Sequence, residues 1–226
     1  MRILFNGQGK PIKAGDVKKS IGAFGYGYNV TVQFVIDNSE DGLDKRIFFE
    51  NVARLMPNFK MTRGGPFRGV TYSGGRVQDP NGQINSCWKG VGDGLVQVRK
   101  IIDAHHRKNR SRALVDMSES VRKEITAELW EIFKKLEAIC RGKTRFGMVA
   151  ASKVLFSVLP EVALPIDNSQ WIELFDTIDY RDIIRLMALE IKVWEKTTGQ
   201  KLDFCYPRYH FTLPSTYNVM AMRARP

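Results

Sequence analysis

Residues 116–142 read DMSESVRKEITAELWEIFKKLEAICRG, and their periodicity decides the fold class. Val121, Ile125, Leu129, Ile132, Leu136 and Ile139 recur at steps of four, four, three, four and three, so a helix here has one apolar face and one charged face. Asp116 with Glu119 three residues later has the form of a capping box, and Gly142, flanked by Arg141, Lys143 and Arg145, closes the helix. Such a stripe needs an apolar partner, and the next segment supplies one. A helix from about Gly147 to Leu159 carries Val149, Ala150, Ala151, Val154, Leu155 and Val158, is apolar nearly all round and stops at Pro160, as a central core helix does. A third helix is predicted to start near Asp167. A fourth, from Tyr180 to Thr198, shows Ile183, Met187, Ile191 and Trp194 on one face, with Asp179 at its start and Gly199 at its end. Pro214 opens a short last helix, and the aromatics Phe204, Tyr206, Tyr209, His210, Phe211 and Tyr217 are expected to pack back onto the core.

Towards the amino terminus the pattern changes. Arg2 to Phe5 is a short apolar run closed by Asn6-Gly7, which reads as a strand and a tight turn. From Asn29 to Ile36, Val30, Val32, Phe34 and Ile36 alternate with Thr31, Gln33 and Val35, and β-branched residues dominate, so a half-buried strand is predicted. Gly22, Gly25 and Gly27, interleaved with Phe24, Tyr26 and Tyr28, suit a bulged strand or turn ahead of it. Phe48, Val52, Leu55 and Met56 predict a helix over residues 44–56, before Pro57. Nine glycines between Lys60 and Gly94 predict loops and short hairpins, after which Leu95, Val98, Ile102 and His105 mark a helix. The fold class is therefore α+β: a small antiparallel sheet with glycine-rich loops over residues 1–113 and a helical bundle over 114–226, packed as one compact unit.

With 43% hydrophobic and 26% charged residues among 226, the chain can bury a sizeable core and is not a disordered polymer. It has no apolar run of membrane-spanning length, and MRILFNGQGK lacks the apolar stretch of a secretory signal, so a soluble protein of the cytoplasm is expected, with no membrane partner. Cys87, Cys140 and Cys205 are an odd count, far apart and without a CxxC pair, which argues against a disulfide framework and a thiolate zinc site; no metal or other cofactor is expected.

The formal charge is +11, and its distribution says more than its size. Residues 1–113 hold 19 Lys and Arg against 9 acids, and residues 114–226 hold 16 against 15, so nearly all the excess lies in the first half. Two clusters stand out. Lys60, Arg63, Arg68, Arg76 and Lys89 face only Asp79 and Asp93 and are interspersed with Phe67, Tyr72 and Trp88, a composition suited to a phosphate backbone and unstacked bases. Arg99, Lys100, Arg107, Lys108, Arg110 and Arg112 face only Asp103 and form the densest candidate phosphate patch. The partner these clusters predict is nucleic acid, DNA above RNA.

Three further motifs bear on chemistry. Gly142-Lys143-Thr144 is not a phosphate loop, because Glu137 stands where its first glycine belongs. Asp167, Glu190 and Lys192 have the order of a magnesium nuclease, but Glu190 falls in a helical pattern rather than on a strand. Gly90-Val-Gly-Asp-Gly94 ahead of a helix has backbone amides able to cradle a phosphate.

The most distinctive stretch is GMVAASKVLFSVLPEVALPIDN, residues 147–168. It resembles a segment of poorly characterised bacterial and phage proteins in which Ala-Ser-Lys opens an apolar helix and a proline-rich loop delivers an aspartate. More remotely, it is similar to the core of the helix-hairpin-helix DNA glycosylases, although the Gly-x-Gly hairpin of that superfamily is absent before Lys153. That resemblance implies a catalytic Asp167 stabilising positive charge on a sugar as a base leaves, and Lys153 as an amine nucleophile. The local alternatives are an Asp167 that caps the third helix and a Lys153 that reaches past an apolar face into solvent. The leading expectation is a nucleic-acid-binding protein with glycosylase-like base or nucleotide processing. The alternatives are a non-catalytic binding module of phage or defence type for nucleic acid or a host protein, and a small-molecule enzyme taking a phosphorylated ligand at Gly90 to Gly94.

Overall fold

In the computed structural model, residues 3–40, 42–106, 110–141, 147–166, 174–203 and 211–224 are described. In chain order they form α1 (Ala14–Phe24), α2 (Tyr26–Asn38), α3 (Lys45–Asn58), β1 (Thr71–Ser73), β2 (Arg76–Gln78), α4 (Gln83–His106), α5 (Ala113–Asp116), α6 (Glu119–Arg141), α7 (Gly147–Val158), α8 (Tyr180–Thr198) and α9 (Leu213–Arg223). The molecule is a helix-rich α+β fold whose sheet is a single antiparallel hairpin.

Helices α6 and α7 form the centre. α6 buries Ile125, Leu129, Ile132, Phe133, Leu136 and Cys140, and α7 is buried along nearly its whole length, as the two apolar patterns require. Gly147 sets how closely they approach, since a Cβ there would lie 2.9 Å from the Glu137 carbonyl oxygen. The start of α6 differs from expectation: Ser118 Oγ accepts from the Val121 amide, while Asp116 is turned towards Arg112. α8 and α9 match their predicted ends. Asp179 caps α8 at the Arg181 amide and Gly199 closes it in the left-handed region, while Thr212 and Ser215 make a capping box at α9. The helix expected near Asp167 and the aromatics of residues 204–210 lie outside the described residues; Phe211 and Tyr217 are buried.

The first half needs two corrections. Residues 29–36 are not a strand but part of α2, where Tyr28, Val32, Val35 and Ser39 are buried at steps of four, three and four and Val30 points outward. Helical burial against α3 and α7 outweighs the strand preference of β-branched residues. The segment through Gly94 is likewise only partly loop. α4 begins at Gln83 and runs through Gly90, Gly92 and Gly94, because a side chain at Gly90 or Gly94 would strike α6: a Cβ would lie 2.5 Å from Ile139 Cδ1 or 3.1 Å from Ile132 Cγ1. These glycines bring two helices together, and their amides belong to the helix ladder rather than to a phosphate cradle. The expected first strand reduces to an isolated bridge, Phe5 to Pro11.

One apolar core takes residues from both halves. α3 packs on α7, α1 on α9, the Leu4 amide donates to Glu190 Oε1 at 2.7 Å, and Trp194 Nε1 donates to the Ile12 carbonyl at 2.8 Å. Among the described residues no helix is long and apolar enough to cross a membrane.

Candidate nucleic-acid interface

The densest predicted patch does not form a free electropositive face. Arg99 follows Leu95 by one helical turn, so it lies on the buried side of α4. There Nη1 donates to Glu161 Oε1 at 2.7 Å and Nη2 to Glu161 Oε2 and the Val158 carbonyl, with both side chains 2% exposed. Arg110 donates to Asp103 and to the carbonyls of Ser39 and Glu40. Arg112 is buried among Asp116, Glu195 and Asp203, and the Glu195 hydrogen bonds hold its guanidinium charged against the cost of burial. Three cations assigned to phosphate contact are therefore structural, neutralised largely by carboxylates of the second half. Arg107 and Lys108 lie outside the described residues. Lys100 is exposed on α4 and makes no ion pair among the described residues.

Lys89 lines a groove of about 450 Å3 between α4 and α6 together with Lys45, Trp88, Asp93, Glu128, Glu131 and Lys135. Acids match bases there, so the groove offers a polyanion no net attraction.

The segment from Lys60 to Gln78 is different. It holds Lys60, Arg63, Arg68 and Arg76 and no carboxylate. All four are exposed, and none makes an ion pair among the described residues. The segment is well anchored. α3 ends in a Schellman motif, with the Met61 amide on the Met56 carbonyl and the Lys60 amide on the Pro57 carbonyl, which puts Lys60 at φ 58°, a left-handed position usually taken by glycine. Met61, Phe67 and Val70 then enter the core, and Asn81 Nδ2 holds the Arg68 carbonyl at 3.0 Å. The hairpin turns on Gly74 and Gly75, both at positive φ, as a two-residue turn between twisted strands demands. Its strands put Tyr72 and Val77 towards α3 and leave Thr71, Ser73, Arg76 and Gln78 exposed. The nearest acid, Asp79, caps α4 by accepting from the Gln83 and Asn85 amides.

Sequence reasoning missed Arg54. Its guanidinium carbon lies 3.6 Å from the Phe34 ring centroid and 4.2 Å from that of Tyr72, so α2, α3 and the hairpin meet at this one side chain. None of its side-chain nitrogens has a hydrogen-bond partner among the described residues, and Nε is shut off from solvent. Phe34 and Tyr72 lie 20 and 18 residues away along the chain, so no local pattern marks the sandwich.

Of the two residues implied by the glycosylase resemblance, Lys153 is buried, with Nζ 4.7 Å from the centroid of the Phe59 ring, and does not reach past α7 into solvent. Asp167 lies outside the described residues. The Ile166 amide donates to Ser152 Oγ at 2.8 Å, so the proline-rich loop returns its chain to the level of residue 152. Among the described residues no group of three or more His, Cys, Asp or Glu is placed to hold a metal ion. Cys87 and Cys140 meet inside the α4–α6 interface with their sulfurs 3.8 Å apart, both as free thiols. No protein family, curated protein or solved structure matches the chain.

Proposed function

We propose that the protein binds nucleic acid through the exposed cations of the Lys60–Gln78 segment. The observation that carries this reading is that four outward cations share one anchored segment with no acid in it and no ion pair among the described residues, while Arg99, Arg110 and Arg112 are consumed inside the fold. Each cation that neutralises a phosphate releases counterions, so binding weakens steeply with salt.

The test compares the wild-type chain with a fourfold variant, Lys60, Arg63, Arg68 and Arg76 each →Gln, and with a charge-matched control in which the exposed Lys10, Lys13, Lys18 and Lys19 are each →Gln. The hairpin variant should reduce the magnitude of the slope of log K against log salt by up to about 3.6 on duplex DNA, at about 0.9 for each of four lost phosphate contacts. Equal losses in both variants would reduce the attraction to overall charge and end the reading.

A second reading, base or nucleotide processing with Lys153 as amine nucleophile, draws on the Ile166–Ser152 hydrogen bond, which returns the segment leading to Asp167 to the turn of α7 that carries Lys153, and it requires the buried amine to be exposed on binding. Its test is borohydride trapping on DNA carrying abasic sites. A covalent adduct lost in Lys153→Gln supports it, and no adduct removes it.

A further inference from the structure

We infer that Arg54, whose guanidinium lies over the rings of both Phe34 and Tyr72, is a prepared site for a phosphate group of the bound nucleic acid; this inference rests on the reading just given and names a contact within it. The argument begins with what the two rings leave available. A guanidinium is a planar fork of five N–H donors with two π faces. The guanidinium carbon lies over the Phe34 ring at 3.6 Å and over the Tyr72 ring at 4.2 Å, so the rings shield its π system and leave the N–H groups for a ligand.

That edge is unused. Arginines with a structural role elsewhere in this fold spend their Nη groups on it: Arg99 on Glu161 and the Val158 carbonyl, Arg112 on three carboxylates, Arg122 on the Val115 and Met117 carbonyls, although Nε of Arg99, like that of Arg54, is buried without a partner among the described residues. Among the described residues, Arg54 has no carboxylate and no carbonyl on any side-chain nitrogen. Nε is the one nitrogen closed off without a partner, whereas Nη1 and Nη2 remain open to solvent. Stacking fixes the plane of the fork and removes most of the rotamer freedom that an exposed arginine loses on binding. A tetrahedral phosphate presents two oxygens at the spacing that a guanidinium edge grips with parallel N–H···O bonds, and the exposed Lys60, Arg63 and Arg68, on the segment that follows α3, offer the same strand further cations.

The experiment measures anisotropy of labelled single-stranded and duplex oligonucleotides across a salt series, with wild type, Arg54→Met and Arg54→Lys. Methionine keeps an apolar stem between the rings and removes the fork; lysine keeps the charge and loses the planar edge. Arg54→Met should lower the salt slope by about 0.7 on single strands and 0.9 on duplex, with roughly tenfold weaker binding. Arg54→Lys should keep the slope and bind several-fold more weakly. If Arg54→Met does not fold, the Nε resonance of Arg54 in 15N-labelled wild type decides instead. A shift with an oligonucleotide ending in 5′-hydroxyl assigns an internal phosphodiester, and a shift only with 5′-phosphate ends or inorganic phosphate assigns a terminal one. Wild-type slope and affinity in folded Arg54→Met, or an unmoved resonance, would overturn the inference while leaving the hairpin cations in place. Wild type that binds no nucleic acid at any salt would overturn both.

Discussion

Removing one partner of the Arg99–Glu161 pair should be among the most damaging single changes to this fold. Both side chains are 2% exposed, and Nη2 of Arg99 also holds the Val158 carbonyl at the end of α7. Glu161→Gln leaves the guanidinium desolvated without a counter-charge, and breaking a buried pair in this way costs about 3–5 kcal/mol. For a chain of this size that lowers the melting temperature by roughly 6–20 °C. Replacing both partners, Arg99→Met with Glu161→Leu, removes the stranded charge and should recover most of that loss. Urea denaturation of wild type, both single variants and the double variant gives the coupling directly. A Glu161→Gln loss below about 1 kcal/mol, or additive single effects, would refute the view that Arg99 is consumed inside the fold. The same Arg99→Met, Glu161→Leu protein should bind nucleic acid with the wild-type salt slope.

Four other outcomes are expected. Lys60→Gly should stabilise the fold by about 1 kcal/mol, since glycine takes φ 58° without strain, yet weaken nucleic-acid binding; unchanged stability in urea would show the turn is not strained. Gly147→Ala should destabilise by about 1–3 kcal/mol because its Cβ meets the rigid Glu137 carbonyl, whereas Gly15→Ala, with open space around it, should be neutral or slightly stabilising. Burial alone would raise the Glu195 carboxyl, but hydrogen bonds from Arg112 and the Leu202 amide outweigh it and hold the group below the usual carboxylate range. Its contribution is therefore fully present above the unfolded value near ~4.3 and is lost as pH falls through that value towards the folded one, so Glu195→Gln should show a shallower acid limb in stability-against-pH measurements. Finally, the hydrogen bond to Cys87 and burial raise the Cys140 thiol, so neither cysteine should react with a disulfide reagent until the chain unfolds, as thiol titration of a Cys205→Ser protein will show.

The second half was legible because each helix there carries its own evidence: the steps of α6, the all-round apolarity of α7, and the Asp179 and Gly199 ends of α8. The first half was harder to read because its residues answer to partners far along the chain. Val30 to Ile36 satisfy a strand by alternation, and only the burial of Val32 and Val35 against other helices selects α2. Gly90 and Gly94 look like loop residues until Ile139 and Ile132 of α6 are set against them. The same holds for the site. Arg99 already lay on the apolar face with Leu95 and Ile102, a signal that could have removed it from the phosphate patch, but Glu161 is 62 residues away. Arg63, Arg68 and Arg76 stand out by composition alone, and all three are exposed, because an outward cation needs no partner to be recognised. Arg54 was invisible, since its meaning comes from two rings on other elements.

The buried pairing of Arg99 with Glu161 also orders events during synthesis. A nascent chain that has emerged only through α4 holds a guanidinium on its apolar face with no counter-charge to receive it, and the glycine notches of that helix still await α6. Burial of that face of α4 is therefore complete only once residue 161 has left the ribosome, so the seam between the two halves closes late in translation.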